Sequence, residues 1–243
     1  MHRAVRPAHP VRAVSLSGAI ATVGCVNQAA RGALIVFEGG DGAGKSTQVT
    51  ALAHTLQDAG HTVTCTREPG GTPLAEAVRS LVLDPTNAPV SPATEALLFA
   101  SARADHVARL IHPALERGEI VLCDRFVDSS AAYQGAGRGL GTAAVRDLNE
   151  WALQGLVPHL TVLLDVDRAT AESRRRSRGV AADRVESEAA AFHEAVNAAF
   201  RDLAELAPSR YLVLDAAAPA EDITRAVLQR VSALVPAPPE AAR

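Results

Sequence analysis

The sequence predicts an α/β domain: a five-stranded parallel sheet with helices on both faces. Three observations carry this. Five short apolar runs alternate with stretches of helical periodicity, the pattern of strands joined by helical crossovers. The first run leads into Gly39-Gly40-Asp41-Gly42-Ala43-Gly44-Lys45-Ser46-Thr47, which fits the phosphate-loop pattern G-x-x-x-x-G-K-[ST] from Gly39 to Ser46. Neither an internal repeat nor a linker divides the 243 residues, so 33–235 reads as one domain, with 1–32 a disordered extension and 236–243 a loose tail.

Taken in order, residues 1–32 hold Arg3, Arg6, Arg12 and Arg31 without an acidic residue, and a weak apolar run from Ala13 to Val26 broken by Ser, Gly and Thr. Export clashes with a nucleotide site, so a disordered extension or an over-long start is expected. Ala33-Leu34-Ile35-Val36-Phe37 is the first strand. Val49, Leu52, Ala53 and Leu56 then recur at helical spacing as far as Gly60. Thr62–Thr66 is the second strand, and its loop Arg67-Glu68-Pro69-Gly70-Gly71-Thr72 ends on a capping threonine with Pro73 in the first turn of a helix to Leu83. A proline-rich connection, 84–92, precedes one long helix from Ala93 to Arg117, with a kink expected at Pro113.

Glu119–Cys123 is the third strand and delivers Asp124-Arg125 at its C-terminal end. Helix Thr142–Leu153, strand His159–Asp165 and a helix from Arg168 follow. The polar stretch 178–186 is expected to be a mobile lid loop. A helix through Phe192 and Phe200 to Leu206, strand Arg210–Leu214, and helix Ala220–Leu234 complete the chain.

Composition narrows the function classes. Hydrophobic residues are 48%, charged ones 21% and the formal net charge is −3, which argues against a chain that coats nucleic acid. No apolar stretch reaches the length of a membrane span, so no membrane contact is expected. Cys25, Cys65 and Cys123 lack metal-ligand spacing. Without a disulfide framework they fit a reducing, cytoplasmic setting.

The phosphate loop explains its own residue types. Glycines let successive N–H groups converge on one phosphate at the positive end of the next helix. Lys45 is expected to reach the β- and γ-phosphates of ATP, and the Ser46 hydroxyl to hold Mg2+. Asp124, beside the loop, would join the Mg2+ shell while Arg125 clamps a phosphate; a surface ion pair is the plainer reading of the same dipeptide. Arg174, Arg175, Arg176, Arg178 and Arg184 are either a solvated helix face or a lid that brings a guanidinium to the transferring group. Asp41 is unexpected beside polyphosphate unless it meets Mg2+ or a sugar hydroxyl.

Together, Gly39–Thr47, the Arg-Glu-Pro-Gly-Gly-Thr run, Asp124-Arg125-Phe126 and Tyr133-Gln134 resemble the thymidylate kinase family, in order and at matching spacing from about Ala33 to Val231. The resemblance implies a P-loop nucleoside monophosphate kinase-like fold with a short lid, and phosphorylation of dTMP to dTDP with MgATP. By it, Asp41 lies near the sugar 3′-hydroxyl and the metal, and Phe99 stacks on the base. Arg103 donates to the thymine 4-oxygen, Ser130 meets the N3 side, and Tyr133 sits under the deoxyribose, with Gln134 beside it. Arg67 and Arg125 match positions around the monophosphate, and Arg79 matches a family arginine of less clear role. The lid arginines follow the bacterial-type pattern, with Arg174 and Arg178 ahead of Arg184 as the catalytic one. Pairing into a homodimer through long apolar helices is implied too. Two rivals also fit the phosphate loop: a kinase for another nucleotide or a nucleoside, and a non-catalytic ATP-operated switch.

Overall fold

The computed structural model describes residues 32–177 and 183–235. Strands β1 (Ala33–Glu38), β2 (Val63–Arg67), β3 (Ile120–Asp124), β4 (Leu160–Asp165) and β5 (Tyr211–Asp215) form one sheet in the order β2-β3-β1-β4-β5, every pair parallel. The strands lie where the apolar runs predicted. β1 is buried at all six positions because helices cover both faces. Ile35 and Phe37 pack with Leu52, Leu56 and Val227 on one side, while Leu34 and Val36 turn to Val107 and Ile111 on the other. The edge strands β2 and β5 alternate instead, and Cys65 on β2 is exposed while Cys123 on β3 is buried.

Helices α1 (Lys45–Asp58) and α2 (Pro73–Leu83) begin as the sequence suggests. The Thr72 hydroxyl accepts the Ala75 N–H at 3.2 Å and Pro73 occupies the first turn. The long helix expected from Ala93 to Arg117 differs. It runs as α3 (Pro92–His106), a wide π segment (Val107–Ile111) and α4 (His112–Glu116), so the irregularity precedes Pro113. Pro113 has no N–H, and its ring crowds the carbonyl of Arg109; a π turn over that stretch relieves both without breaking the path.

No periodicity marked residues 126–141, yet α5 (Val127–Ser130) and a π segment (Ala131–Gly137) lie there. The remaining helices are α6 (Thr142–Leu153), α7 (Arg168–Ser177), α8 (Ala190–Leu206) and α9 (Ala220–Ser232). Of the predicted lid loop, 178–182 lie outside the described residues. Asp183 to Ser187 form a turn in which Asp183 Oδ1 accepts the N–H groups of Val185 and Glu186, each at 2.8 Å. The predicted N-terminal extension and C-terminal tail also fall outside, except Gly32, whose N–H donates to Leu115 O at 2.9 Å. Among the described residues no helix is long and apolar enough to cross a membrane.

The central strands carry the stability. Leu122 is fully buried in β3. Leu122→Ala is expected to lower the unfolding free energy by about 2–5 kcal/mol, the range for emptying a packed core position, read from urea denaturation.

Candidate active site

Sheet order brings the motifs together. β1 pairs with β3 so that Phe37 faces Asp124, and β3 pairs with β2 so that Asp124 faces Arg67. The phosphate loop, Asp124-Arg125 and Arg67-Glu68 therefore leave three neighbouring strands at their C-terminal ends. From β1 the chain turns toward β2, from β3 toward β4, so a crevice opens between them. A cleft of about 510 Å3 lies there.

On the loop side, Gly39 has φ +131°, and a Cβ on it would stand 2.4 Å from Leu164 O, so only glycine lets the loop start this close to β4. Gly44 caps α1 with φ 93°. Gly40, Gly42 and Ala43 complete the turn, Thr47 lies in the first turn of α1, and Gly42, Gly44, Ser46 and Thr47 face the cleft. Lys45 folds over the loop, donating to the carbonyls of Gly39 at 3.0 Å and Gly40 at 2.9 Å. Burial, and then the Arg125 charge, push its ammonium down to about 8. Ser46 Oγ donates to Asp124 Oδ2 at 2.6 Å.

Arg125 is the hub. Its Nη1 donates to Gly39 O at 3.0 Å and Ser129 Oγ at 3.2 Å; its Nη2 donates to Asp41 Oδ1 at 2.6 Å and Tyr133 OH at 3.2 Å. Tyr133 in turn donates to Asp41 Oδ2 at 2.9 Å. Burial alone would raise the Asp41 carboxyl, but Arg125, Lys45 and these hydrogen bonds hold it well below the usual carboxylate range. The unexpected aspartate thus has two cations for neighbours.

Across the cleft, α3 presents Phe99, half-buried and facing the cavity. Arg103, one turn further, stands behind the wall at 2% exposure. Its Nε donates to Glu68 Oε2 at 2.7 Å and its Nη1 to Asn149 Oδ1; its Nη2 donates to Ser130 Oγ at 3.1 Å and Phe126 O at 3.3 Å. Ser130 and Gln134 line the cleft, and Gln134 donates to Glu95 Oε1 at 2.9 Å. Arg67 pairs with Glu76 at 2.8 Å and Arg79 donates to Pro69 O at 2.9 Å; both face the cavity. Burial and the nearby Arg67 charge lower the Arg79 guanidinium.

The lid arginines divide. Arg174 on α7 lines the cleft and donates to Ala216 O at 2.9 Å. Arg184 is held elsewhere, donating to Val82 O at 2.9 Å and Glu95 Oε2 at 2.5 Å. Arg178 lies outside the described residues.

Comparison with known proteins bears on what this cleft does. The thymidylate kinase family matches residues 37–227. The thymidylate kinase of Clavibacter michiganensis is 51% identical over 206 residues, covering 85% of this chain and 97% of that protein. That of Deinococcus radiodurans is 48% identical over 202 residues, covering 83% and 97%. The crystal structure of the Ehrlichia chaffeensis thymidylate kinase superposes with a TM-score of 0.67 at 31% identity, covering 83% of this chain and 98% of that one. The chain belongs to the thymidylate kinase family. Its activity is phosphoryl transfer to dTMP, giving dTDP.

Three buried carboxylates in and behind the cleft wall carry no role that the motifs announce. Glu68 joins Arg103 to His106, whose Nδ1 lies 3.0 Å from Glu68 Oε1; its place inside the Arg-Glu-Pro-Gly-Gly-Thr run was the available signal. Glu95 is fully buried and bonded to Gln134, Arg138 and Arg184. It lies four residues before Phe99 and eight before Arg103, on one face of α3. Glu38 carries no sequence signal. Burial first, then the Asp128 charge, push its carboxyl up to about 7.

Lys45 gives a pH signature in the unliganded enzyme. Its folded value of about 8 lies below the ordinary 10.5, so between those values the unfolded chain holds the extra proton. The contribution of this group to stability therefore rises with pH from about 8 to 10.5. Lys45→Met keeps the buried stem and removes the charge. Wild type minus variant unfolding free energy, measured by denaturant titration across that window, is expected to climb with pH; a flat difference would contradict the burial of the ammonium.

Proposed function

We propose that this enzyme transfers the γ-phosphoryl group of ATP, with Mg2+, in line to the 5′-phosphate of dTMP, without a covalent intermediate. The observation that carries the reading is the placement of Arg125. One guanidinium donates both to Gly39 O on the phosphate loop and to Tyr133 OH on the opposite wall. A cation so placed can draw the acceptor phosphate toward the donor. A phosphate oxygen is already an anion at neutral pH, so positioning and charge stabilisation matter more than a base.

Lys45 and the loop amides from Gly39 to Thr47 would hold the donor phosphates. Ser46 and Asp124 offer two oxygen donors side by side, which fits a cation that takes one or two protein oxygens and completes its shell with phosphate and water. When bound, Mg2+ would neutralise charge on the donor oxygens. Arg174 would supply the lid cation, with Arg178 as its companion. On the acceptor side Phe99 would stack on thymine, with Arg103 and Ser130 at its polar edge and Gln134 supporting that wall. Tyr133 and Asp41 would meet the deoxyribose, and Arg67 and Arg125 the monophosphate. Arg103 already has four of the five guanidinium N–H groups engaged, so its part would be to orient Ser130 as much as to donate itself. The proposal includes a cytoplasmic setting, where ATP is at hand and the free thiols of Cys65 and Cys123 stay reduced.

Lys45→Met is expected to lower acceptor-dependent ADP release by at least about 10²-fold while the protein stays folded. In a coupled assay offering dTMP, dUMP, dCMP, AMP and GMP, dTMP is expected to be the best acceptor. Near-wild-type turnover of the variant, or a preference for a purine, would overturn the reading.

We also propose a homodimer that uses α2 and α3. Leu74 and Leu81 lie seven apart on one face of α2 at 58% and 51% exposure, and Leu97 on α3 is 56% exposed. In sedimentation experiments the wild type is expected to run as a dimer and Leu97→Glu as a monomer.

A further inference from the structure

Glu38 is the last residue of β1 and has no exposed surface. Its carboxylate crosses to the segment that leaves β3. Oε1 accepts the N–H of Phe126 at 2.9 Å and of Ser129 at 3.0 Å, and Oε2 accepts the Ser129 hydroxyl at 2.6 Å. Phe126 and Ser129 are the N-cap and third residue of α5, and Phe126 supplies no side-chain cap. A carboxylate from the neighbouring strand thus accepts the N-cap amide of Phe126, and shares with Phe126 O the third-residue amide of Ser129 that a Ser or Asp at the cap would ordinarily serve.

The backbone just before this cap is strained. Arg125 has φ +69°, in the left-handed region that a residue with a Cβ rarely adopts. The end of β1 holds the kink from both sides: Phe37 O accepts the Arg125 N–H at 2.9 Å, and Glu38 takes the amides beyond it. The Ser129 hydroxyl then connects the cap to the guanidinium, since it donates to Glu38 and accepts from Arg125 Nη1 at 3.2 Å. Arg125 is therefore gripped at its backbone through the cap and at its side chain through one hydroxyl.

We propose that Glu38 is a positioning residue for the phosphoryl transfer, acting through Ser129 to hold Arg125 between the phosphate loop and the acceptor wall. The inference rests on the reading that Arg125 serves the acceptor phosphate. It explains why a buried carboxylate stands here: three donors satisfy it, and all three lie on the segment that aims the guanidinium.

Three variants and a control test this. Glu38→Gln keeps an oxygen for both amides and offers Nε2 to the Ser129 oxygen, which can accept as well as donate. Glu38→Ala removes every bond, and Ser129→Ala removes the hydroxyl that bonds both Glu38 Oε2 and the guanidinium while keeping the two amide bonds to Oε1. Initial rates are measured with dTMP varied at saturating ATP and the reverse, well below each unfolding midpoint. Glu38→Ala and Ser129→Ala are expected to lower kcat/KM for dTMP by about 10- to 100-fold, with KM for ATP within about twofold, and Glu38→Gln to recover to within about threefold of wild type. Glu38→Gln as impaired as Glu38→Ala, Ser129→Ala within twofold of wild type, or a loss shared equally by both substrates would each overturn the proposal. If Glu38→Ala does not fold, Ser129→Ala and Glu38→Gln decide by the same criteria. Arg125→Ala separates the layers. Inactivity there with an active Ser129→Ala sinks the positioning role alone, whereas an active Arg125→Ala sinks the reading of Arg125 and the positioning role with it.

Discussion

The pair between Asp41 and Arg125 is the constraint on which the cleft depends. The two side chains are 18% and 16% exposed and meet at 2.6 Å. The cleft holds two largely buried cations, Arg125 and Lys45, and buried cations without partners are costly. Asp41 answers that need from within the phosphate loop, standing beside both Arg125 and Lys45. Lys45 meanwhile rests on the loop's own carbonyls. The positive groups are thus held in place by partners within the cleft itself.

The acceptor wall follows the same rule with different residues. Glu68 holds Arg103 and His106, and Glu95 holds Arg138 and Arg184. Both carboxylates are buried, and both are satisfied by several donors. Burial alone would raise Glu95, yet bonds from Arg138, Gln134 and Arg184 keep it below its ordinary value. Glu95 also joins three parts of the chain: the π segment through Gln134, α3 itself, and the turn after the lid through Arg184. The helix that presents Phe99 and the turn at 183–187 are therefore tied to one carboxylate.

Arg125 shows how much of the site was legible in the residues and where legibility stopped. That an arginine follows an aspartate at the end of an apolar strand is visible in the sequence. That it takes a left-handed backbone, bonds to Gly39 and Tyr133, and is steadied by Glu38 is not, because those partners lie 86, 8 and 87 positions away. Arg103 is a sharper case. Its spacing from Phe99 put both on one helix face, but its burial behind the wall depends on Glu68 and Asn149, which arrive on other elements.

What the sequence determined by itself is local and periodic: the strands, the phosphate loop, the Thr72 cap and most helix limits. Each is written in residues a few positions apart, through side-chain period, glycine conformation or a capping hydroxyl. Tertiary structure alone decided the strand order that sets Phe37, Asp124 and Arg67 side by side, and the π segment around Tyr133. It also decided the partners of the buried Glu38, Glu68, Glu95 and Arg103. A buried ion selects whichever opposite group the packed sheet brings within hydrogen-bonding distance, and no local pattern carries that distance.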